Sequence, residues 1–493
     1  MKIPFVSSAK ASVGRRVRTS MRLIKAMSHS FYDAANPTGA NERHFQGVGL
    51  ISARNANDRG TRETLKKRSR YECANNGYLN GIVHTLADDL IGAGPRLQIT
   101  PDDGVSRDDA RVAELEFNRW ARASGLWAKI RAMRQTKAGD GEIFGVMSSN
   151  SAIDHPVALD LVLIESDRVR SESDLGLDPR EMDGIRFDAL GNPSEYRILN
   201  HHPDDAQLGA NIEQGSWVPR DDVIHYFTAD RPGQIRGIPE ITPAIPLAAQ
   251  MRRLTLATLG AAENAASHAM FMHTDQPLDV DGDIETPEAM ESFEVDSGMV
   301  NVLPEGWKPA QLRSEHPNQT YEGFKKEILA EMGRPVSMPK NIVLGDSSGS
   351  NFASAKMDHS GYFHKINVDQ TEMVDQVLNR IFDRWLAQAS RVEGLLPQSL
   401  RRREPPVQRT WRFPVREHVD PSKEANAAQV RLGSTTNLKV EAGRLGLDWR
   451  EVMDQRLIEQ EYADAIGLRS PSATQEPAGA AGPDDDDDQG AEE

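Results

Sequence analysis

The residues of this chain whose types could do chemistry are few, and their spacing does not assemble them. Gly345-Asp346-Ser347-Ser348-Gly349 sets two hydroxyls in a glycine-bounded loop, loosely like the surroundings of a hydrolase serine. A serine nucleophile needs an imidazole held by an acid. The nearest histidines, His359 and His364, fall on a helix that runs away from the loop. His201-His202 offers two imidazoles, but adjacent residues point differently and the sequence shows no third ligand for a metal. Asp88-Asp89 and Asp221-Asp222 are neighbours in sequence, as on solvated faces and at helix starts. The single cysteine, Cys73, permits no internal disulfide and, with no histidine beside it, reads as a small packed residue. The chain carries neither a G-x-x-x-x-G-K-S/T phosphate loop nor H-E-x-x-H. No catalytic constellation results, so neither an enzymatic activity, a metal nor a cofactor is expected.

Composition narrows the classes further. At 493 residues the chain has room for about three domains, and 38% hydrophobic with 27% charged residues is a globular balance. The most apolar stretch, residues 244–272, is broken by Gln250, Arg252, Arg253, Glu263 and Asn264, so no membrane span is expected. The N-terminus is basic through Lys25, with no acid before Asp33, and lacks the apolar core of a signal peptide. The formal net charge is −16. That balance disfavours a tight binder of nucleic-acid phosphates, which needs clustered Lys and Arg. It is compatible with a protein that DNA passes, because an acidic wall repels phosphate. The Arg401-Arg402-Arg403 triplet reads as a solvated loop or as a nucleic-acid contact.

The elements that would position such residues follow from periodicity. Residues 61–91 predict a helix through Leu65, Leu79, Ile82, Val83, Leu86, Leu90 and Ile91, stopped by Gly92-Ala93-Gly94-Pro95. Residues 97–100 predict a short strand and 107–137 a second helix. Strands are predicted at 142–147, 159–164 and 299–303, with a hairpin over 184–200. An Ala-rich helix of about 40 Å is expected over 244–272. A Pro- and acid-rich segment, 275–315, separates it from a helix at 321–332. After the loop 345–351 comes a long amphipathic helix, 353–389, with the stripe Phe363, Ile366, Met373, Val374, Val377, Leu378, Ile381, Phe382, Trp385 and Leu386. Residues 420–468 predict helices, and the tail ends in five aspartates at 484–488 with Glu492 and Glu493. The fold class is α+β.

Several passages, taken in order, resemble the lambda-type family of tailed-bacteriophage portal proteins over about residues 50–465. They are Asn75-Asn76-Gly77-Tyr78, Asp88-Asp89-Leu90-Ile91-Gly92-Ala93-Gly94, Asp140-Gly141-Glu142-Ile143-Phe144 and Leu163-Ile164-Glu165-Ser166-Asp167-Arg168-Val169. The hairpin 184–193 follows, then Val218-Pro219-Arg220-Asp221-Asp222-Val223-Ile224-His225 and Arg231-Pro232-Gly233-Gln234-Ile235-Arg236-Gly237-Ile238-Pro239. Last come His316-Pro317-Asn318-Gln319 and Val419-Asp420-Pro421-Ser422-Lys423-Glu424-Ala425. The segment Met332-Gly333-Arg334-Pro335-Val336-Ser337-Met338-Pro339 departs from the family's usual G-V-P-Y-E-x-L, which marks a variant branch.

The resemblance implies a portal fold with wing, stem, clip and crown, assembled as a dodecameric ring around a channel. It divides the chain into a flexible arm (1–60), an α+β wing (61–243), a first stem helix (244–274), a clip (275–317) and a second stem helix (318–333). A tunnel-loop region (334–354), a long wing helix with its connection (355–416), a helical crown (417–468) and a disordered acidic tail (469–493) complete it. Asp346, Ser347, Ser348, Gly349, Ser350 and Asn351 would face double-stranded DNA that slides past without sequence specificity. Asp279, Asp281, Asp283, Glu285, Glu288 and Glu291 in the clip would dock the terminase large subunit and then head-completion or adaptor proteins. Major capsid and scaffold proteins are further expected partners, with the virion vertex as the final location and the host cytoplasm as the site of assembly. A capsid-associated enzyme would need the catalytic constellation that is missing. A head–tail adaptor is usually shorter and lacks the helix–clip–helix order, and a generic acidic scaffold would lack the organised α+β half.

Overall fold

The computed structural model describes residues 47, 49–102, 104–172, 178–205, 214–267, 271–274, 307–310, 320–349, 352–401, 407–414 and 421–468. The chain divides into two units, Met1–Asp58 and Arg59–Glu493. The described part of the first contains one short helix, α1 (Ala53–Ala56), capped by the Ser52 hydroxyl, which accepts from the Asn55 N–H. The strand expected at 299–303 and the acidic tail lie outside the described residues.

The second unit opens with two helices where the apolar period predicted one. α2 (Arg59–Asn75) and α3 (Gly77–Ile91) are separated at Asn76, whose side chain accepts from the Tyr78 and Leu79 N–H groups and so starts a new helix. α3 buries the predicted face of Leu79, Ile82, Val83, Leu86, Leu90 and Ile91. α2 does the opposite and buries Arg62, Lys66, Ser69 and Glu72, one stripe at helical spacing, while Leu65 stays outside the core. The helix expected over 107–137 is likewise two, α4 (Arg107–Ala123) and α5 (Leu126–Asp140), broken where Gly125 takes φ +64.

The predicted strands form antiparallel sheets. β2 (Glu142–Ser149) lies between β3 (Leu159–Ile164) and β8 (Val223–Phe227), with Phe144 opposite both Ile164 and His225. A second sheet runs β4 (Glu181–Met182), β5 (Ile185–Phe187), β6 (Pro193–Leu199), β7 (Gly215–Pro219), with the expected hairpin at its centre. β1 (Arg96–Ile99) pairs with β11 (Arg409–Arg412), a strand that the Pro- and Arg-rich composition of 391–416 conceals.

α6 (Ile245–Ser267) is the Ala-rich helix, 23 residues and about 35 Å long. The backbones of β9 (Phe271–Thr274) and β10 (Trp307–Ala310) pair antiparallel beyond it. α7 (Tyr321–Gly333) packs on α8 (Lys340–Leu344) so closely that a Cβ at Gly333 would sit 2.5 Å from Val343 Cγ2. α9 (Phe352–Met373) and α10 (Asn379–Ala389) are joined by a π-helical turn, Val374–Leu378. A short α11 (Gln398–Arg401) precedes β11. The C-terminal helices are α12 (Pro421–Ser434), α13 (Leu438–Arg444) and α14 (Trp449–Ala465).

The largest core sits between α4, α5, the β2 sheet and α10. Its centre is aromatic: Phe117 meets Trp385 edge-on at 5.2 Å and packs within 5.6 Å of Trp120, Phe382 and Trp411. Such pairs add about 0.5–1.5 kcal/mol each beyond area burial. A second core joins α3, the start of α6, α7, α8 and α9 through Leu79, Leu86, Met251, Met332 and Ile366.

Candidate functional site

Charge, rather than apolar contact, ties the β sheets to the segments leading into α6. Glu142 opens β2 with no exposed surface. Its carboxylate accepts from Arg236 Nε at 2.8 Å, from His225 Nε2 at 2.9 Å and from the Gly237 N–H at 3.0 Å. Arg236 uses every donor it has. Besides Nε, its terminal nitrogens reach Glu142 Oε1 (2.7 Å) and the carbonyls of Val169 (3.0 Å), Asp183 (2.6 Å) and Ser166 (3.1 Å). Burial alone would raise the Glu142 carboxyl, but Arg236 and then His225 outweigh it and hold it far below the usual range. Burial keeps the His225 imidazole low against the pull of Glu142. A planar fork matched to one carboxylate and three carbonyls is a role lysine cannot fill.

Backbone proximity explains the glycines in the same passages. A Cβ on Gly237 would lie 2.1 Å from the Gly141 carbonyl oxygen, and one on Gly141 would lie 2.3 Å from the Ile238 carbonyl carbon. Two chain segments cross there with no room for a side chain. The polar stripe of α2 feeds this hub. Lys66 reaches Ser166 (3.0 Å) and Asp167 (2.5 Å), Arg70 reaches Asp140 and Asp167, and Arg62 reaches Asp183 at 3.2 Å. Burial pushes the Asp167 carboxyl up, but Lys66 and Arg70 outweigh it and bring it to about 2.

A second network fastens α5 to the segment leading into α6 and to α9. Arg134, fully buried, pairs with Glu240 at 2.8 Å and with Asp369 at 3.3 Å. Lys137 spans Glu240 and Glu372, and Lys365 pairs with Asp369. Burial raises the Glu240 carboxyl, yet Arg134, Lys137 and Lys365 hold it at about 2. These groups are matched ion pairs held in place on several sides. They lock elements together.

The loop that follows α8 is positioned by short-range contacts. Gly345 takes φ +64 and ends α8. The Asp346 N–H donates to the Asn341 carbonyl at 3.1 Å, its carboxylate accepts from the Ser348 N–H at 2.9 Å, and Lys326 of α7 lies 3.6 Å away. Ser347, Ser348 and Gly349 are exposed. His359 bonds Asn341 at 2.7 Å and meets Phe363 edge-on, so Ser348 and His359 are committed to different partners. Ser350 and Asn351, and the acids at 279, 281, 283, 285, 288 and 291, lie outside the described residues.

The structure does bring other ligand types to His202: Glu165 Oε2 is 3.3 Å and Asp167 Oδ2 3.9 Å from Nε2. Residue spacing does not predict this cluster, because the carboxylates come from the turn after β3. Two features oppose a metal. The Asp204 N–H donates to His202 Nδ1 at 3.1 Å, which puts the imidazole proton on Nε2, the nitrogen a metal would need. Asp167 is already neutralised by Lys66 and Arg70. The hub residues Glu142, His225, Arg236, Arg134 and Glu240 went without an assigned role in the sequence reading. Their signal was a set of charges within otherwise apolar or turn-forming passages.

The chain is similar to several known proteins. A probable portal protein of Halomonas phage phiHAP-1 is 25% identical over 401 residues, covering 76% of this chain and 75% of that one. Among solved structures, a chain in the neck of an empty GTA (gene transfer agent) particle computed with C6 symmetry aligns at TM-score 0.49 and 15% identity, over 82% of this chain and 97% of that chain. An HK97 family phage portal protein from Corynebacterium diphtheriae aligns at TM-score 0.29 and 10% identity, over 73% and 98%. The family model described as phage portal protein, lambda family, matches residues 48–370, more than half of the chain. That span contains the Glu142–Arg236 hub, the second network apart from Glu372, the crossing glycines and the loop after α8, and the chain belongs to the lambda family of phage portal proteins, the head–tail connectors of the virion.

Proposed function

We propose that this portal subunit closes into a ring at one capsid vertex, twelvefold as the family resemblance implies, with α6 and α7 as its stem and a DNA channel on its axis. The reading is carried by apolar side chains that a single chain leaves in water on those two helices. Leu256 and Leu259 of α6 are 59% and 55% exposed, and Phe324 of α7 is 55% exposed. Fully burying such a side chain is worth about 1.5–3 kcal/mol. In a closed ring each subunit offers one face and covers another. Ala257 and Gly260 beside these leucines let neighbouring helices approach closely.

The remaining roles follow the family plan. The loop of Asp346, Ser347, Ser348 and Gly349, with Ser350 and Asn351, faces the channel. It holds no cation, so phosphates slide past it without sequence-specific contact. The clip, 275–317, docks the terminase large subunit during packaging and head-completion or adaptor proteins afterwards. Capsid and scaffold proteins surround the vertex, and assembly takes place in the host cytoplasm. The energy for translocation comes from the terminase, and the portal itself catalyses nothing. The test is a packaging assay with Ser347→Lys and Ser348→Lys together. Added phosphate contacts should slow packaging at least several-fold at low salt, with the defect shrinking as salt rises. Unchanged packaging at every salt concentration would remove the loop from the channel.

A further inference from the structure

One recess is used by none of these roles. A cavity of about 660 Å³ opens between β1, α4 and the start of α14, and its lining includes Arg96, Arg111, Arg119, Arg122 and Arg450. Arg96 and Arg111 pair with Glu451 (2.9 Å) and Asp454 (2.8 Å) and so hold α14 against α4 and β1. The Arg119 side chain is 70% exposed and pairs with Glu116 at 2.5 Å from the same helix, and Arg122 is exposed. Arg450 Nε is shielded from water yet has no hydrogen-bond partner. The acids in the lining offset little of this. Glu451 is spent on Arg96, Asp448 caps α14, and burial, with Asp448 and Glu451 nearby, pushes the Glu114 carboxyl up to about 7. In a chain of net charge −16, this is a local excess of arginine.

The chain also carries a matching polyanion. Residues 484–488 are aspartates, followed by Glu492 and Glu493, with no base after Arg469. α14 has 17 residues and is about 26 Å long, so the recess at its start lies roughly that far from its end. The 15 residues between Leu468 and Asp484 can span about 50 Å when extended. We propose that the arginine-lined recess is the docking site of the chain's own acidic C-terminal block, residues 484–493. Docked there, the block occupies arginines that would otherwise gather DNA phosphate.

The test compares the full-length chain with a full-length variant in which the five aspartates at 484–488 become Asn. Hydrogen exchange at 50 mM salt should be at least threefold slower over residues 93–98, 111–122 and 448–454 in the unmodified chain, and the difference should vanish at 300 mM. A peptide of residues 483–493 added to the neutralised chain should bind. Arg119→Ala, Arg122→Ala and Arg450→Ala together should weaken that binding at least tenfold. Equal exchange in the two chains, or peptide binding indifferent to the three arginines, would overturn the proposal. So would a DNA duplex that binds both chains equally through these arginines, since the recess would then belong to DNA.

Discussion

Replacing Glu142 by Gln tests whether buried charge holds this fold together. The substitution preserves shape and removes one charge from a site with no exposed surface. Arg236, itself 1% exposed, then keeps its carbonyl partners but loses its counter-ion, and the new amide must turn N–H groups toward Arg236 or Gly237, both of which donate. Leaving one partner of a buried pair uncompensated costs about 3–5 kcal/mol, against a typical total stability of about 5–15 kcal/mol. In urea unfolding followed by tryptophan fluorescence, that is a fall in midpoint of about 1–2 M at a slope of about 2–3 kcal/mol/M. The double variant Glu142→Gln with Arg236→Met removes both charges and should recover part of the loss. It also strips donors from three carbonyls, so recovery should be incomplete. A loss below about 1 kcal/mol for Glu142→Gln would refute the reasoning, because the hub would then be an incidental pair.

Other outcomes follow from the same geometry. Gly237→Ala should destabilise by at least about 2–3 kcal/mol, because a Cβ there meets the Gly141 carbonyl oxygen at 2.1 Å; a change under about 0.5 kcal/mol in thermal or urea unfolding would contradict the crossing. Glu240 and Asp167 titrate near 2 when folded, below ordinary values of 4.5 and 3.8, so their contribution is present above those ordinary values and is lost as pH falls toward 2. Glu240 should account for about 3 kcal/mol of that loss, and Glu240→Gln should flatten the stability curve between pH 5 and pH 2, with parallel curves as the contrary result. Tyr226→Phe should leave stability unchanged or raise it by up to about 1 kcal/mol, since the buried hydroxyl has no hydrogen-bond partner; a loss above about 1 kcal/mol in urea would show that it has one.

Much of the fold was legible wherever apolar periodicity determines structure. The stripe from Phe363 to Leu386 forms one face of α9 and α10, and the runs at 142–147 and 159–164 are paired strands. Helix breaks were harder. Asn76 and Gly125 each end a helix by a local backbone preference that a period count passes over. β11 was missed because its pairing with β1 is set by residues more than 300 positions apart in sequence, with Trp411 buried in the aromatic core. The ionic hub was hidden for a deeper reason. A hydrophobic pattern assigns Arg62, Lys66 and Glu72 to the surface, and only partners from the turn between β4 and β5 (Asp183), the turn after β3 (Asp167) and α6 (Arg252) make their burial affordable. The portal-like passages included Asp140, Glu142, Asp167 and Arg236 without giving the physics. Once the structure brings Asp140, Gly141, Glu142, Asp167, Arg236 and Gly237 together, the passages become intelligible as one interlocked joint.

The central claim is that this chain works as a ring with α6 facing its neighbours. Single-particle electron microscopy of the purified full-length chain tests it most directly. The expected result is a closed ring, twelvefold or close to it, with a central channel, with Leu256, Leu259 and Phe324 covered by adjacent subunits and the loop at 346–349 on the channel wall. Monomers or compact dimers at high concentration, with those side chains still in water, would contradict it.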